Sequence, residues 1–269
     1  MTALVLRASW REQRASFAGW AAAWVVLVIM YAASWPAVRG SADKYDELLR
    51  DMPKALRTLI GSNGPGSLGT PEGYLTAELL SFTGPLLVVA MGILVGTRAL
   101  AGDEESGTLE LLLAQPISRL RVLLEKLAGG AAGIGAVLTI AGVALLISSP
   151  LAGLDLSVAT ALRPMAVFWL LGLEALSLGL CLGAVLGSVG RSRALAGAVA
   201  LGAFVLHALG ALVPSTHRMA SLSPFETVVA SDPFRQGLSG TTVLTLLAPC
   251  VAMTVAGLVA FRRRDLHLS

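Results

Sequence analysis

Residues 164–188, PMAVFWLLGLEALSLGLCLGAVLGS, decide the fold, because they form an apolar run with one charged side chain, that of Glu174. A helix needs about 20 mostly apolar residues to cross the hydrocarbon core of a bilayer, and this run is long enough. Pro164 stands at its first position, where proline favours the start of a helix. The run predicts a membrane-spanning helix.

Five further stretches of this kind surround the first one along the chain. The six predicted spans are residues 17–35, 78–97, 127–149, 164–188, 194–213 and 243–261. The first is longer than the roughly 7–15 apolar residues of a signal peptide, so we interpret it as a retained span. The prediction is an all-α polytopic membrane protein with a single transmembrane domain over residues 1–269.

The composition supports a membrane protein and weakens other classes. Of 269 residues, 55% are hydrophobic and 14% are charged, whereas a soluble domain usually carries about 25% charged residues. The net charge is +3 and the basic residues form short clusters beside apolar runs, which gives no argument for a nucleic-acid partner. Cys181 and Cys250 lie in apolar segments and three histidines are scattered, so we expect neither a disulfide nor a metal centre.

Basic residues at the ends of the spans predict the orientation in the membrane. Lys and Arg concentrate in the N-terminal segment, the second and fourth loops and the tail, and the third and fifth loops hold only Arg163, Arg218 and Arg235. By the positive-inside rule both termini are cytoplasmic. Residues 4–17 are interpreted either as an amphipathic helix on the inner leaflet or as a positive flank. Residues 43–74 form an outer loop with one or two short helices.

The second loop contains the densest charge in the chain. Residues 102–127 read GDEESGTLELLLAQPISRLRVLLEKL. They open with three acidic residues, Asp103, Glu104 and Glu105. Ser106 or Thr108 is suited to cap a helix that starts here.

Three leucines then predict a short amphipathic helix. Leu109, Leu112 and Leu113 recur at i, i+3 and i+4 and share one helix face. Pro116 ends this helix, and Ser118 caps a second helical segment that leads into the third span. A helix of two turns is unstable alone in water, so it must dock, either under its own bundle or on a cytoplasmic partner.

Two segments resemble a known family. Residues 104–127 resemble the cytoplasmic loop between the second and third spans of ABC-2-type permeases, the membrane subunits of bacterial ABC exporters. Residues 222–238, LSPFETVVASDPFRQGL, are similar to the outer segment before the last span of that family. With six spans and a basic leading segment, the resemblance covers nearly the whole chain. It implies a bacterial inner-membrane protein with an elbow-like helix at its N-terminus.

The resemblance also implies a site and a partner. Residues 108–115 become a coupling helix that inserts into a groove of a separate nucleotide-binding subunit. The residues expected to couple to this ATPase are Glu104, Glu105, Gly107, Thr108, Leu109, Leu112, Leu113 and Pro116. The leucine face is expected to carry most of the docking energy, and the acidic head, with Asp103, to pair with basic residues of the ATPase. A second permease copy or paralogue is expected to complete the transmembrane set.

A missing motif agrees with this interpretation. The chain contains no Gly-x-x-x-x-Gly-Lys-Ser/Thr loop, so it has no Walker loop to cradle ATP phosphates. ATP and magnesium are therefore expected on the partner subunit, and this chain is expected to bind no cofactor and to be no enzyme.

Two ionisable residues inside the spans are candidates for a substrate path. Glu174 lies about ten residues into the fourth span, where a charge is expensive and is expected to face the bundle interior or a wet cavity. It either contacts a cationic or polar substrate or is protonated or hydrogen-bonded for structural reasons. His207, in the fifth span, is interpreted as a packed polar residue rather than a proton relay.

Small residues at four-residue spacing predict where spans pack closely. These rows are Ala175, Gly179, Gly183 and Gly187 on the fourth span, Gly129 and Gly133 on the third, and Ala198 and Gly202 on the fifth. We expect them to serve packing within the bundle rather than a dimer seam. Pro85 is expected to kink the second span.

Three classes of function are compatible with such a bundle. The leading hypothesis is an ATP-driven exporter of a hydrophobic or amphipathic compound, such as a drug. The alternative is an ion-coupled secondary transporter, but the sequence shows no convincing inverted repeat. An intramembrane enzyme is disfavoured, because neither His-Glu-x-x-His nor Gly-x-Ser-x-Gly is present.

Overall fold

The computed structural model describes residues 4–41, 69–114 and 117–263, and no β-strand occurs among them. Five of the spans are formed by single helices: α1 is Leu4–Arg39, α5 is Arg119–Ala152, α6 is Val158–Leu186, α7 is Val189–Leu212 and α10 is Gly240–Arg263. The second span consists of α2, Pro71–Leu75, a π-helical segment, Thr76–Thr83, and α3, Gly84–Glu105. The short elements are α4, Thr108–Leu113, a 3₁₀ turn, Pro214–Thr216, α8, His217–Ala220, and α9, Pro224–Ala230.

The predicted fold class is confirmed. Among the described residues, six helices are long and apolar enough to cross a membrane, and each contains one of the predicted spans or nearly all of it. The segment before the first span is helical, but it continues into that span as one helix, α1. The predicted helices of residues 43–60 lie outside the described residues.

The start of the fourth span differs from the prediction. Ser157 caps α6 by accepting a hydrogen bond from the backbone N–H of Thr160 at 3.1 Å, so the helix begins at Val158 and Pro164 lies inside it. The cap satisfies one of the free N–H groups of the first turn. A proline inside a membrane helix is tolerated because neighbouring groups compensate for the lost backbone bond.

Pro85 stands where the second span changes from π-helical to α-helical geometry. The eight residues before Gly84 adopt π-helical geometry, and Pro85 stands in the first turn of α3, where a missing N–H matters least. The hydroxyl of Ser81 donates to the carbonyl oxygen of Thr76 at 2.8 Å and satisfies one backbone acceptor of this segment. The segment before Pro85 is therefore π-helical, and the kink expected at Pro85 stays a prediction.

The centre of the bundle is the contact between α3 and α6, the most extensive in the structure. A Cβ on Gly96 would overlap the carbonyl oxygen of Leu176, and one on Gly179 would lie 2.9 Å from the backbone nitrogen of Thr97. The two backbones therefore touch, as the row of small residues on α6 predicts. Gly187, the last of that row, instead ends α6 in the left-handed region with φ of 60°.

The other spans surround this pair. α1 packs along α5, where the ring of Phe17 covers Gly133, and α10 packs along α6. α7 and α10 are the least enclosed spans. On α7 a Cβ on Gly202 would meet no atom of a neighbouring helix within 4 Å, and Ala198 is exposed. The prediction that Ala198 and Gly202 serve packing within the bundle is therefore wrong for the described part of the chain.

Candidate functional site

The turn between α3 and α4 is built on its three small residues. Gly107 adopts φ of 71°, a left-handed conformation that favours glycine, and ends α3. The hydroxyls of Ser106 and Thr108 each lie 3.2 Å from the carbonyl oxygen of Asp103. These bonds hold the start of α4 against the end of α3, so the two helices are coupled through a tight turn.

The leucines of α4 do not form a single free face. Leu109 is 1% exposed and belongs to an apolar cluster at this end of the bundle, with Leu100, Val122, Leu180 and Phe261. The expectation that Leu109 docks on a partner is therefore wrong, since it already packs under its own bundle. Leu112 keeps part of its surface exposed. The side chain of Leu113 and the whole of Pro116 lie outside what the structure describes.

The acidic head is also used within the chain. Lys126 Nζ lies 2.5 Å from Asp103 Oδ2, and the two residues are only 6% and 7% exposed. Asp103 is thus buried and already paired, which contradicts its assignment to a partner. From the sequence, Lys126 is predicted only as part of the basic flank of the third span. Its position after the leucines of α5 is a signal that its side chain is buried and needs a partner.

Glu105 joins the same turn to a more distant helix. Its Oε1 accepts a hydrogen bond of 2.8 Å from the N–H of Val189, the first residue of α7. The preceding Ser188 makes no side-chain cap, so Glu105 caps α7 in its place. A carboxylate at this position is also favoured by the helix dipole. Glu104 is partly buried.

The N-terminus of α5 closes this end of the bundle. The side chain of Ser118 accepts a hydrogen bond from the N–H of Arg121 at 3.3 Å, which confirms the predicted cap. Arg119 donates to the carbonyl oxygen of Phe261 and lies 5.4 Å from the centroid of its ring. The end of α10 is therefore fastened to the start of α5, directly after α4.

Glu174 lies far from this turn, in the middle of α6. It lines an apolar cavity of about 190 Å³ together with residues of α3, α7, α9 and α10. Its Oε2 atom is buried and has no hydrogen-bond partner among the described residues. The structure thus places Glu174 in the bundle interior, facing a cavity, as its position in the span predicts.

His207 is packed one turn beyond this cavity on α7. It is 5% exposed, and its Nδ1 lies 2.7 Å from Glu226 Oε2 on α9. Nearby, the Ser223 hydroxyl donates to the carbonyl oxygen of Ala203 at 2.9 Å. Since Ala203 and Phe225 line the cavity of Glu174, α9 connects the two candidate residues. Glu226 as the partner of His207 was missed, because only the fold brings α9 onto α7.

The sequence is similar to known membrane transport proteins. Over 267 residues the chain is 28% identical to the multidrug efflux system permease protein Rv1217c of Mycobacterium tuberculosis (strain ATCC 25618 / H37Rv), an alignment that covers 96% of this chain. The chain spans 44% of the length of that relative. Residues 3–266 match the family described as ABC-2 family transporter protein, which confirms the family that the sequence resembles. This match covers nearly the whole chain, and the protein therefore belongs to the ABC-2 family of transporter permeases, which are membrane subunits rather than enzymes.

Proposed function

We propose that this chain is the membrane-spanning subunit of an ATP-driven ABC exporter and that α4 is its coupling helix. The observation that carries the proposal is how the turn and α4 are fastened. At the end of α3, Asp103 pairs with α5 and Glu105 with α7, and Leu109 packs α4 among residues of α3, α5, α6 and α10. A displacement of α4 is therefore transmitted to five spans at once.

The surface that meets the nucleotide-binding subunit is narrower than the leucine face. Gly107 and Ala114 are exposed, and Thr108 and Leu112 are partly exposed, on a helix otherwise held by the buried Leu109. A partly exposed leucine among small residues offers an apolar contact without steric obstruction. Leu112 is the residue through which we expect most of the docking energy to act, because burying a leucine side chain is worth about 1.5–3 kcal/mol.

The partner supplies the energy in this scheme. ATP and magnesium bind to the nucleotide-binding subunit, whose closure moves α4. We propose a bacterial inner-membrane location with both termini cytoplasmic, which puts α4 on the side where ATP is available. A second copy or paralogue completes the pathway, and the relative that this chain covers to 44% is long enough to hold a second unit of the same size.

The substrate is proposed to be a hydrophobic or amphipathic compound. The cavity beside Glu174 is apolar and lies between spans, and such a cavity favours a molecule that partitions from the bilayer. The name of the relative concerns multidrug efflux, which supports the same direction of transport.

The proposal is tested by changing Leu112 to Asp. A carboxylate placed in an apolar interface loses the burial of leucine and adds a desolvation cost, so we expect the ATPase to be lost from the purified complex. Pull-down of the tagged chain from native membranes, followed by identification of what accompanies it, measures this loss.

Leu222→Asp is the matched control, because Leu222 is an exposed leucine in the loop before α9. We expect this variant to retain the ATPase. If Leu112→Asp also retains it and ATP-driven transport is unchanged, the coupling assignment is wrong. If wild-type protein is recovered without any ATP-binding subunit and transport follows an ion gradient, the chain is a secondary transporter.

A further inference from the structure

We propose that the cavity around Glu174 binds the protonated amino group of a hydrophobic amine, so that the transported compounds are lipophilic cations. The inference rests on the proposed export function, because it names the substrate class for the same pathway. Its two physical components are a small, partly open apolar cavity and one buried carboxyl oxygen without a partner among the described residues.

The walls of this cavity come from five helices, and the cavity is partly open to the surface. Val89 and Ile93 come from α3, Leu171 and Leu178 from α6, and Phe225 from α9. α7 and α10 contribute the remaining walls, with Ala200, Ala203, Pro249 and Met253. Apart from Glu174, every described residue around the cavity is apolar, so the wall itself selects for an apolar molecule.

The carboxyl group of Glu174 supplies the charge of the cavity lining. Its Oε2 is buried and makes no hydrogen bond within the described part of the chain, and none of the ion pairs found there includes Glu174. A buried polar atom without a partner is unfavourable. A ligand that brings a hydrogen-bond donor and a positive charge to this atom removes that penalty.

Among ligand chemistries, a protonated amine fits best. An alkyl amine resembles the lysine side chain, whose pKa of about 10.4 keeps it charged at neutral pH, and it donates N–H groups. A neutral alcohol donates a hydrogen bond but brings no charge. An anionic compound is repelled by the carboxylate, and a quaternary ammonium brings charge without a donor.

The size of the cavity indicates which part of the ligand it holds. Its volume of about 190 Å³ is below the roughly 300–1,000 Å³ typical of pockets for drug-sized ligands. The amino group and the carbon atoms next to it fit inside. The rest of a longer molecule extends between α7 and α10, the two spans with the smallest buried share in the bundle.

The inference is tested by binding to the purified full-length chain in lipid nanodiscs. Phenylbutylamine and phenylbutanol are nearly equal in size and differ in the charged group. We expect isothermal titration to show amine binding at least ten times tighter than alcohol binding. Glu174→Gln should reduce amine affinity at least tenfold and leave alcohol affinity unchanged.

Two further variants keep the test specific. Glu78→Gln, on the π-helical segment, removes another carboxylate of the same chain that does not line the cavity, and amine binding should not change. Ala203→Leu fills the cavity from α7 and should weaken amine and alcohol alike. Equal binding of both probes by wild type, or unchanged amine binding in Glu174→Gln, would overturn the inference. Since no ATPase is present, this result is independent of whether α4 couples to one.

Discussion

Two short helices at opposite ends of the bundle, α4 and α9, both depend on neighbouring helices, but the ionisable pairs near them differ in burial. Each helix docks through buried apolar side chains and has an ionisable pair beside it or within it. Beside α4 the pair is Asp103 of α3 with Lys126 of α5, both under a tenth exposed, and the buried side chain of α4 is Leu109. At α9 the pair is His207–Glu226, in which the glutamate side chain is 29% exposed, and the buried side chains are Phe225 and Val228.

The difference shows how a bundle supports elements too short to be stable alone. Helices of six or seven residues form too few backbone hydrogen bonds to offset the cost of nucleation, so both depend on docking. The Asp103–Lys126 pair beside α4 is buried and joins α3 to α5, which suits a rigid support for an element that transmits movement. The His207–Glu226 pair at α9 is partly exposed to solvent. This suits a helix that forms part of the cavity wall and moves more easily than α4.

The largest expected effect comes from breaking the Asp103–Lys126 ion pair beside α4. Lys126→Met removes the ionic partner of a buried carboxylate, and losing one member of a buried pair typically costs about 3–5 kcal/mol. We expect a clear drop in the unfolding temperature, measured by thermal unfolding of the purified protein. The double variant Asp103→Asn with Lys126→Met should recover most of the loss. Wild-type stability of the single variant would contradict the buried pair.

A smaller effect is expected from Leu109→Ala. Truncating a buried leucine costs about 2–5 kcal/mol through lost burial and the cavity left behind. Faster hydrogen exchange should be confined to α4 and the start of α5, and mass spectrometry of peptides locates it. Leu222→Ala, at an exposed position, is the control and should change nothing. Exchange that is unaltered at α4 would show that Leu109 does not hold this helix.

The smallest effect is expected at α9. Glu226→Gln keeps the shape and a hydrogen bond to His207, and a partly exposed ion pair is worth up to about 1 kcal/mol. A double-mutant cycle with His207→Asn measures the coupling energy from thermal unfolding. A coupling energy between Glu226 and His207 as large as that between Asp103 and Lys126 would show that the two ends of the bundle do not differ in this respect.

Local patterns account for what could be predicted. The six spans follow from apolar length alone, because the cost of exposing polar backbone to lipid acts on each segment separately. The cap at Ser118 and the short helix after Gly107 follow from residues close in sequence. Pro164 misled the prediction of a helix start, because Ser157 supplied a better cap seven residues earlier.

By itself, the sequence determined the number of spans, the position of α4 between the second and third of them, and the family. Only the tertiary structure decided what each buried polar group meets. Lys126 pairs with Asp103, Val189 with Glu105, and Glu226 with His207. Helical periodicity shows that residues share a face, but not which neighbour covers that face. The packing of α3 on α6 and the folding of α9 onto α7 bring these partners together and leave Glu174 beside a cavity.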